Sequence, residues 1–181
     1  MIKYNVASIN RCTETEGPHK RLCIWFQGCD IRCNECCNPD YQPFIVRHIM
    51  SIDEIISVIK KSIDDFGIEG VTYSGGEPTC QKNLPSLTDE IKKLGLGIIS
   101  FTGRKYAEVL DILAGVDLVI DGAYVSEEKE TKRRLLGSEN QRILCLTDRY
   151  KNDVSWFDTD KNGKSVEVNM SDKIVINGDK I

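Results

Sequence analysis

Apolar positions along this chain switch repeatedly between the continuous runs of buried strands and the spacing of amphipathic helices. Runs of adjacent apolar residues predict strands at 22–27, 70–74, 97–101, 116–121 and 142–146. Between these runs, helical spacing predicts three helices, the first with a capping-box pattern at Ser51 and Glu54. Their apolar faces are formed by Ile52, Ile55, Ile56, Ile59, Ile63 and Phe66 in the first helix, by Leu84, Leu87, Ile91 and Leu94 in the second, and by Tyr106, Val109, Leu110 and Leu113 in the third.

This alternation of strands and helices predicts an α/β fold built on a sheet of parallel strands. Four strands have a clear βα character and the run 142–146 is a fifth candidate, so there are too few to close an eight-stranded barrel. In parallel sheets, functional residues gather beyond the carboxyl ends of the strands. We therefore expect a common site edge formed by the segments that follow four of the strands, at 28–37, 75–78, 102–104 and 121–122.

The last part of the chain follows a different pattern. Asn162-Gly163 separates two apolar runs, and an Asn-Gly dipeptide in that setting is a strong hairpin signal. The strands expected around and after this turn are 154–158, 164–170 and 172–176. The sequence thus predicts a core at 1–145 and a short β-hairpin tail at 146–181, a small antiparallel β appendage packed on the core.

Composition is that of an ordinary globular protein. The chain has 181 residues, of which 40% are hydrophobic and 29% charged, enough for the core of one modest domain. Its formal net charge of −4 argues against general nucleic-acid binding, which normally leaves a basic footprint. The chain opens without a signal-peptide pattern and contains no apolar run long enough to span a membrane. We therefore expect a cytoplasmic protein that binds neither nucleic acid nor membranes.

The first candidate for chemistry is a cysteine loop directly after the first predicted strand. Cys29, Cys33 and Cys36 supply three thiolates in the run GCDIRCNEC, where an iron–sulfur cube needs four ligands, so one iron would stay open to a small molecule. Zinc is the main alternative, although a structural zinc site usually has four Cys or His ligands. Cys37 follows Cys36 directly, and adjacent residues seldom chelate one metal well. Disulfides are disfavoured in the expected compartment. The loop alone therefore indicates a cluster or, second, zinc.

A second candidate follows the strand predicted at 70–74. Gly75 and Gly76 allow the backbone to approach a ligand closely, because no side chain intervenes. Glu77 offers a carboxylate that can accept hydrogen bonds from an ammonium group, and Pro78 stiffens the turn. A Gly-Gly-Glu-Pro turn is weak evidence by itself. Combined with the cysteine loop after the preceding strand, it is a strong indication of a cluster-based site.

The two motifs resemble those of radical S-adenosylmethionine enzymes, in which a CxxxCxxC loop holds a [4Fe–4S] cluster. Within that superfamily, the chain resembles the activating proteins of anaerobic, class III ribonucleotide reductase. The resemblance implies an incomplete (partial) α/β barrel with an open side. The segments that carry it lie in order between residues 16 and 142: EGPHKRLCIWFQGCDIRCNECCNPD, YSGGEPTCQKNLPSL, SFTGRKY, DLVIDGAYV and GSENQR.

The resemblance also implies roles for the motif residues. Cys29, Cys33 and Cys36 would ligate the cluster, leaving one iron for S-adenosylmethionine. Glu35 stands where many radical S-adenosylmethionine enzymes have an aromatic residue and the reductase activators often have glycine, so it departs from both patterns. The residues implied in cofactor binding are Gly75, Gly76 and Glu77 at the methionine end, Thr102 and Glu35 near the nucleoside, and Cys36 and Cys37 beside the cluster.

The reaction implied by the resemblance is one-electron chemistry. A reduced cluster passes an electron to S-adenosylmethionine, and the resulting 5′-deoxyadenosyl radical takes a hydrogen atom from one glycine of a large partner enzyme. The resemblance favours anaerobic ribonucleotide reductase as the partner and implies a flavodoxin-like or other low-potential electron donor. Two alternatives stay open: a radical enzyme that acts directly on a peptide or small metabolite, and a non-catalytic metal-binding module.

Overall fold

The chain folds around a seven-stranded mixed sheet in its computed structural model, which describes residues 2–158, 165–170 and 174–178. The elements in chain order are β1 (Lys3–Thr13), β2 (Arg21–Phe26), β3 (His48–Ser51), α1 (Ile52–Phe66), β4 (Gly70–Gly75), α2 (Leu84–Lys93), β5 (Gly97–Thr102), β6 (Leu118–Asp121), β7 (Arg142–Cys145), β8 (Val166–Met170) and β9 (Ile174–Gly178). The strand order across the large sheet is β3-β1-β2-β4-β5-β6-β7, while β8 and β9 pair separately.

Parallel pairing is confined to the centre of the sheet. Strands β2, β4, β5 and β6 are parallel neighbours, as the alternation of strands and helices predicts. The outer strands β1, β3 and β7 pair antiparallel. The run 142–146 therefore contains a strand but not a further parallel one. No α-helix lies in the described connection from β6 to β7, and a strand that returns without a crossover helix pairs antiparallel. The mixed α/β class is confirmed, with antiparallel strands at both edges.

The N-terminal strand β1 was not predicted from the sequence pattern. Its residues Tyr4 and Val6 are each 1% exposed and alternate with more exposed neighbours. Beyond them the alternation fades, and register shifts interrupt the pairing with β2 between Val6 and Ser8 and between Asn10 and Thr13. An irregular strand of this kind lacks the regular two-residue period by which strands are recognised.

Helix α1 begins at the capping box that its sequence predicts. The Ser51 hydroxyl accepts a hydrogen bond from the Glu54 amide at 3.3 Å, and the Glu54 carboxylate accepts one from the Ser51 amide at 2.8 Å, which completes the capping box. Gly67 ends the helix in the left-handed conformation, with φ of 66°. The buried apolar residues of the two confirmed helices are Ile55 and Ile59 in α1 and Leu84, Leu87 and Ile91 in α2.

The prediction of a third helix is wrong. Residues Tyr106–Glu108 form a single 3-10 turn, and the chain continues through further turns to β6. The helical path breaks at Val109, whose φ of −134° lies outside the α region. Val109 and Leu113 are nevertheless 6% and 0% exposed. The helical spacing therefore identified core positions but not the backbone conformation that presents them.

The pairing predicted for the tail is also wrong. Residues 154–158 lie almost entirely in the 3-10 helix Asp148–Phe157 rather than in a strand. Their burial does not follow a two-residue period, since the adjacent residues Val154 and Ser155 are both exposed. The antiparallel hairpin instead joins β8 to β9. The turn signal at Asn162-Gly163 lies outside the described residues.

Hydrogen bonds connect this tail with the first strands of the core. The Thr13 hydroxyl donates to the Glu167 carboxylate at 2.6 Å, and the Gly178 amide donates to the Glu16 carboxylate at 3.1 Å. These contacts place parts of β8 and β9 against the chain between β1 and β2. The division into 1–145 and 146–181 stays a prediction.

Apolar side chains cover both faces of the sheet. On one face, Phe26 and Tyr73 belong to the cluster that includes the buried residues of α1 and α2. On the other face, Ile99 and Ile120 pack with Phe157. Both sides of the central strands are therefore shielded, which leaves the strand ends as the places where polar groups can gather. Among the described residues, no helix combines the length and apolar character needed to cross a membrane.

Candidate active site

The cysteine loop and the Gly-Gly-Glu turn begin at directly paired residues. In the parallel ladder between β2 and β4, Phe26 is the partner of Gly75. Backbone hydrogen bonds continue beyond the strands, because the Gly76 amide donates to the Phe26 carbonyl at 2.8 Å and the Glu77 amide donates to the Gly28 carbonyl at 2.9 Å. The structure thus brings the two predicted motifs together at the carboxyl edge of the sheet.

Gly75 and Gly76 are required by the packing of the chain on itself. Gly75 has φ of +107°, which L side chains rarely adopt. A Cβ atom on Gly76 would lie 2.4 Å from the carbonyl oxygen of Gly28 and 2.6 Å from that of Tyr41. Both distances are well inside van der Waals contact, so only glycine lets the turn lie against the base of the cysteine loop. The sequence predicted that these glycines let a ligand approach the backbone closely. In the structure, the groups that approach Gly76 closely are the Gly28 and Tyr41 carbonyls.

The base of the cysteine loop is held by the segment that follows it. The Gly28 amide donates to the Tyr41 carbonyl at 2.8 Å, and the Cys29 amide donates to the Gln42 carbonyl at 2.9 Å. The buried Gln27 side chain donates to the Pro43 carbonyl at 2.6 Å. These bonds close residues 28–42 into a loop with fixed ends, and Cys29 is at one of those ends.

The predicted cluster cysteines lie on one loop but differ in exposure. Cys29 is only 8% exposed, Cys33 and Cys36 are half-buried, and Cys37 is exposed. Glu35 is also exposed and has φ of 52°, a left-handed conformation that turns the chain between Cys33 and Cys36. No cysteine of the chain is in a disulfide. Cys29 therefore forms the floor of the loop, and the segment around Glu35 and Cys37 forms its outer rim.

Backbone amides point at two of these sulfurs. Burial raises the pKa of the Cys29 thiol, and hydrogen bonds from the Arg32 and Ile31 amides oppose that rise. The Asn38 amide contacts the Cys36 sulfur at 3.4 Å. Hydrogen bonds to the sulfurs help to set the reduction potential of an iron–sulfur cluster. The loop therefore offers both the thiolates and the donors that such a cluster uses.

A single metal ion and an iron–sulfur cluster place different demands on the thiols of this loop. Across residues 2–158 and the described parts of the tail, no group of three or more Cys, His, Asp or Glu side chains is placed to hold one metal ion. A zinc site requires its ligands to converge on one point. In an iron–sulfur cube each thiolate binds its own iron, so the sulfurs stay further apart. The three cysteines on one loop match the number of thiolates of a cube that leaves one iron open.

Glu77 lies at the centre of a buried hydrogen-bond network. The side chain is 1% exposed. Its Oε1 atom accepts hydrogen bonds from the Thr79 amide at 3.0 Å, the Thr79 hydroxyl at 2.6 Å and the Thr102 hydroxyl at 2.9 Å. Its Oε2 atom accepts one from the Gly103 amide at 2.9 Å. The carboxylate is therefore fixed in orientation, and Oε2 keeps the greater capacity to accept a further donor.

The network extends to Asp30 and Arg104, which the sequence placed at the site edge without assigning them a role. The Arg104 guanidinium donates to both carboxylate oxygens of Asp30, at 2.6 and 2.7 Å, and its Nε atom donates to the Thr79 hydroxyl at 3.0 Å. The Cys80 thiol contacts Asp30 at 3.5 Å. Asp30 and Arg104 carry opposite charges in the loops after β2 and β5. Pairing opposite charges across the strand ends on either side of β4 would have revealed them once the sheet order was known.

Comparison with known families identifies the type of site. Residues 15–144 match the model of the 4Fe-4S single cluster domain. The chain belongs to that family. The range matched to the 4Fe-4S single cluster domain includes all four segments predicted to form the site edge, at 28–37, 75–78, 102–104 and 121–122.

Individual relatives of this 4Fe-4S protein are activating proteins of other enzymes by name. The chain is 29% identical over 157 residues to the anaerobic ribonucleoside-triphosphate reductase-activating protein of Enterobacteria phage T4, covering 80% of this chain and 96% of the phage protein. It is 31% identical over 125 residues to the pyruvate formate-lyase-activating enzyme of Clostridium pasteurianum, covering 66% of this chain and 52% of that enzyme. For the enzyme of the same name in Staphylococcus aureus USA300, the identity is 29% over 157 residues, and the match covers 80% of this chain and 62% of that enzyme.

These matches confirm the resemblance drawn from the sequence. The protein is a radical S-adenosylmethionine enzyme of the oxidoreductase class, and its cofactors are a [4Fe–4S] cluster and S-adenosylmethionine. The site fits both groups. Three thiols on one loop suit a cube that leaves an iron open. The oriented Glu77 carboxylate suits an ammonium group.

Proposed function

We propose that this enzyme generates a glycyl radical on a partner protein, and that the partner is an anaerobic ribonucleotide reductase. The observation that carries the proposal is the extent of the match to the phage T4 activating protein, of which the chain covers 96%. The chain spans only 52% and 62% of the two pyruvate formate-lyase-activating enzymes. The reductase-activating protein is therefore matched over nearly its whole length, which supports a reductase as the partner.

We assign the two cofactors to the motifs at the sheet edge. Bound together, they supply a 5′-deoxyadenosyl radical through one-electron reduction of the sulfonium. Cys29, Cys33 and Cys36 hold the cluster. The residues assigned to S-adenosylmethionine are Gly75, Gly76 and Glu77 at the methionine end and Thr102, Glu35, Cys36 and Cys37 on the side of the cluster and nucleoside.

The protein contributes orientation to this chemistry. Glu77 accepts the ammonium group of the methionine end through Oε2, because Oε1 already accepts three hydrogen bonds. The Thr102 hydroxyl donates to Glu77 and accepts from the Arg104 amide at 3.1 Å. Thr102 therefore acts on the nucleoside side by fixing the end of β5, and not through a free hydroxyl. Holding reacting groups in one geometry is a major source of rate enhancement.

The exposed rim of the cysteine loop favours a macromolecular substrate over a small molecule. A radical must be kept from water and from side reactions, which usually requires a lid or a further domain. The loop rim carries exposed residues such as Glu35 and Cys37. We propose that the sheet curves as a partial barrel and that a loop of the partner closes its open side. A flavodoxin-like or other low-potential protein supplies the electron for the reaction. Within the chain, we propose that the tail at 146–181 packs on the core at 1–145.

Electron paramagnetic resonance tests the proposed partner. The cluster is reconstituted without oxygen, and the enzyme is mixed with reductant, S-adenosylmethionine and either an anaerobic ribonucleotide reductase or a pyruvate formate-lyase from the same source organism. We expect a glycyl-radical doublet on the reductase and at least tenfold less on the lyase. A reductase variant whose target glycine is replaced by alanine is the matched control and should give no doublet.

Other outcomes separate the remaining functions. A doublet on the lyase alone would replace the reductase as the partner. Cleavage of S-adenosylmethionine without a radical on either protein, together with turnover of a free peptide or metabolite, would favour direct action on that substrate. Zinc binding without 5′-deoxyadenosine formation would indicate a metal-binding module and would contradict the proposal altogether.

A further inference from the structure

An ion pair bridges the cysteine loop and the end of β5. Asp30 directly follows Cys29, and Arg104 lies two residues beyond Thr102 at the end of β5. One guanidinium nitrogen of Arg104 contacts both carboxylate oxygens of Asp30, at 2.6 and 2.7 Å. Because β4 lies between β2 and β5 in the sheet, this pair spans the Gly-Gly-Glu turn from one side to the other.

The same arginine also reaches the turn beneath it. Its Nε atom donates to the Thr79 hydroxyl at 3.0 Å, and that hydroxyl donates to Glu77 at 2.6 Å. On the β5 side, the Thr102 hydroxyl and the Gly103 amide donate to the same Glu77 carboxylate. A continuous set of hydrogen bonds therefore runs from the residue after Cys29, through Arg104, to the carboxylate assigned to the methionine end.

Stability does not explain this ion pair. The side chains of Arg104 and Asp30 are 31% and 51% exposed, and ion pairs at such exposure contribute little to folding. Between the fixed ends of the loop, residues 30–38 contain no helix or strand. A loop of irregular backbone that carries cluster ligands needs side-chain anchors to hold its shape. Asp30 lies where such an anchor fixes the loop relative to Glu77.

We propose that Asp30 and Arg104 are positioning residues that lock the cysteine loop against the Gly-Gly-Glu turn, and so set the distance between the cluster and the methionine end of S-adenosylmethionine. The proposal rests on the function proposed above and deepens it. The ion pair holds the two cofactor-binding segments in register before the cofactor arrives. Losing either charge lets the loop move away from Glu77, which weakens S-adenosylmethionine binding while all three cluster ligands stay present.

Thiol reactivity of the cluster-free protein tests, without any cofactor, whether the ion pair restrains the cysteine loop. The reduced apo-protein is treated with iodoacetamide, and alkylation of Cys33, Cys36 and Cys37 is followed by mass spectrometry in Asp30→Asn and Arg104→Gln. If the pair restrains the loop, both variants should react at least threefold faster than the parent. A purely electrostatic influence gives opposite changes, because removing the negative charge favours nearby thiolates and removing the positive charge disfavours them. Opposite changes, or no change, would overturn the proposal.

The reconstituted enzyme supplies the second measurement. Iron content in both variants should stay within twofold of the parent, whereas the dissociation constant for S-adenosylmethionine, read from the change in the signal of the reduced cluster, should rise at least tenfold. The reversed pair, Asp30→Arg with Arg104→Asp, should recover part of that affinity. Unchanged affinity in the single variants would contradict the positioning role. These readouts need no partner protein, so they stay interpretable if the glycyl-radical assay fails.

A matched ion pair elsewhere provides the control. Arg11 and Asp65 form an Arg–Asp pair at 2.5 Å whose side chains are 36% and 42% exposed, comparable to the pair at the site. Arg11 is near the end of β1, and Asp65 is in the last turn of α1. Arg11→Gln and Asp65→Asn should change neither alkylation nor S-adenosylmethionine affinity. Equal effects from these variants would show that the changes in alkylation and affinity come from general loosening of the protein, and not from loss of the Asp30–Arg104 ion pair.

Discussion

The hydroxyl of Thr102 lies 2.9 Å from the Oε1 atom of Glu77, and this hydrogen bond joins the end of β5 to the turn after β4. Thr102 is 4% exposed and Glu77 is 1% exposed, so the bond is shielded from water. The same hydroxyl accepts the Arg104 amide at 3.1 Å. The Thr102 hydroxyl therefore both donates and accepts a hydrogen bond within the protein, and these bonds help to fix the orientation of Glu77.

Replacing Thr102 by valine should weaken cofactor binding more than it weakens folding. Thr102→Val keeps the shape of the side chain but removes a buried donor, which costs about 1–2 kcal/mol of unfolding free energy. Since Glu77 would lose one of the four hydrogen bonds that fix its orientation, we expect S-adenosylmethionine affinity to fall about tenfold, equivalent to ~1.4 kcal/mol. Urea unfolding of the apo-protein and titration of the reconstituted enzyme measure the two effects. Thr102→Ser keeps the hydroxyl and should stay near the parent, whereas equal affinity in the valine variant would rule out this role.

Replacing Gly76 by alanine should displace the cysteine loop. The new Cβ atom would lie 2.4 Å from the Gly28 carbonyl oxygen, which is backbone and cannot move aside cheaply. We expect a loss of more than about 3 kcal/mol in unfolding free energy, the range of severe steric changes, together with loss of most bound iron. Thermal unfolding and iron analysis measure these effects.

Gly67 supplies the control for this substitution. A Cβ atom there would meet nothing within 4 Å, although φ is +66°. Gly67→Ala therefore tests backbone strain without a clash and should cost only about 1 kcal/mol with full iron binding. If the two alanine variants bind iron equally well, the packing of Gly76 against Gly28 does not position the loop.

Local sequence patterns predicted those elements that are set by nearby residues. The capping box at Ser51 and Glu54 defines the start of α1 because both hydrogen bonds are made within one turn. The cysteine loop and the Gly-Gly-Glu turn could be placed at one edge because parallel strands align their carboxyl ends. Each of these inferences depends on residues close together in the chain or on a general rule of sheet topology.

Features set by distant contacts could not be read from the sequence. The turn at Tyr106 depends on the Asp121 carboxylate, which accepts the Tyr106 amide at 2.7 Å. The ion pair of Asp30 and Arg104 joins residues 74 positions apart and becomes apparent only when the strand order is known. The close contact of Gly76 with the Tyr41 carbonyl is likewise tertiary. Helical spacing and a glycine motif identified the positions, but only the folded chain shows what they touch.

Tyr4 should make stability depend on pH in the alkaline range. Burial raises the pKa of Tyr4 to about 12 from 10.0, and its hydroxyl donates to the Asn83 carbonyl at 2.6 Å. The folded state therefore holds this proton more tightly than the unfolded state, so the contribution is complete below pH 10 and is lost as pH rises to about 12. At ~1.4 kcal/mol per pKa unit, the loss from this group amounts to about 2–3 kcal/mol.

Urea unfolding of the parent and Tyr4→Phe at pH 9 and pH 11 isolates this contribution. The phenylalanine variant should start less stable at pH 9, because it lacks the hydrogen bond to Asn83. It should then lose less stability than the parent between the two pH values, since other titrating groups are common to both proteins. An equal or larger loss in the variant would contradict the assignment to Tyr4.

Single alanine substitutions should separate the three cluster ligands from their neighbour Cys37. Each of Cys29, Cys33 and Cys36 is assigned to a different iron, so losing any one leaves two irons without a protein thiolate and should abolish the visible absorbance of the cluster and all cleavage of S-adenosylmethionine. Cys37→Ala and Cys145→Ala should keep the iron and sulfide content of the parent, because neither is assigned to an iron. Iron and sulfide analysis after anaerobic reconstitution measures the difference. Equal loss in Cys37→Ala would show that Cys37 also belongs to the ligand set and that the ligands are wrongly assigned.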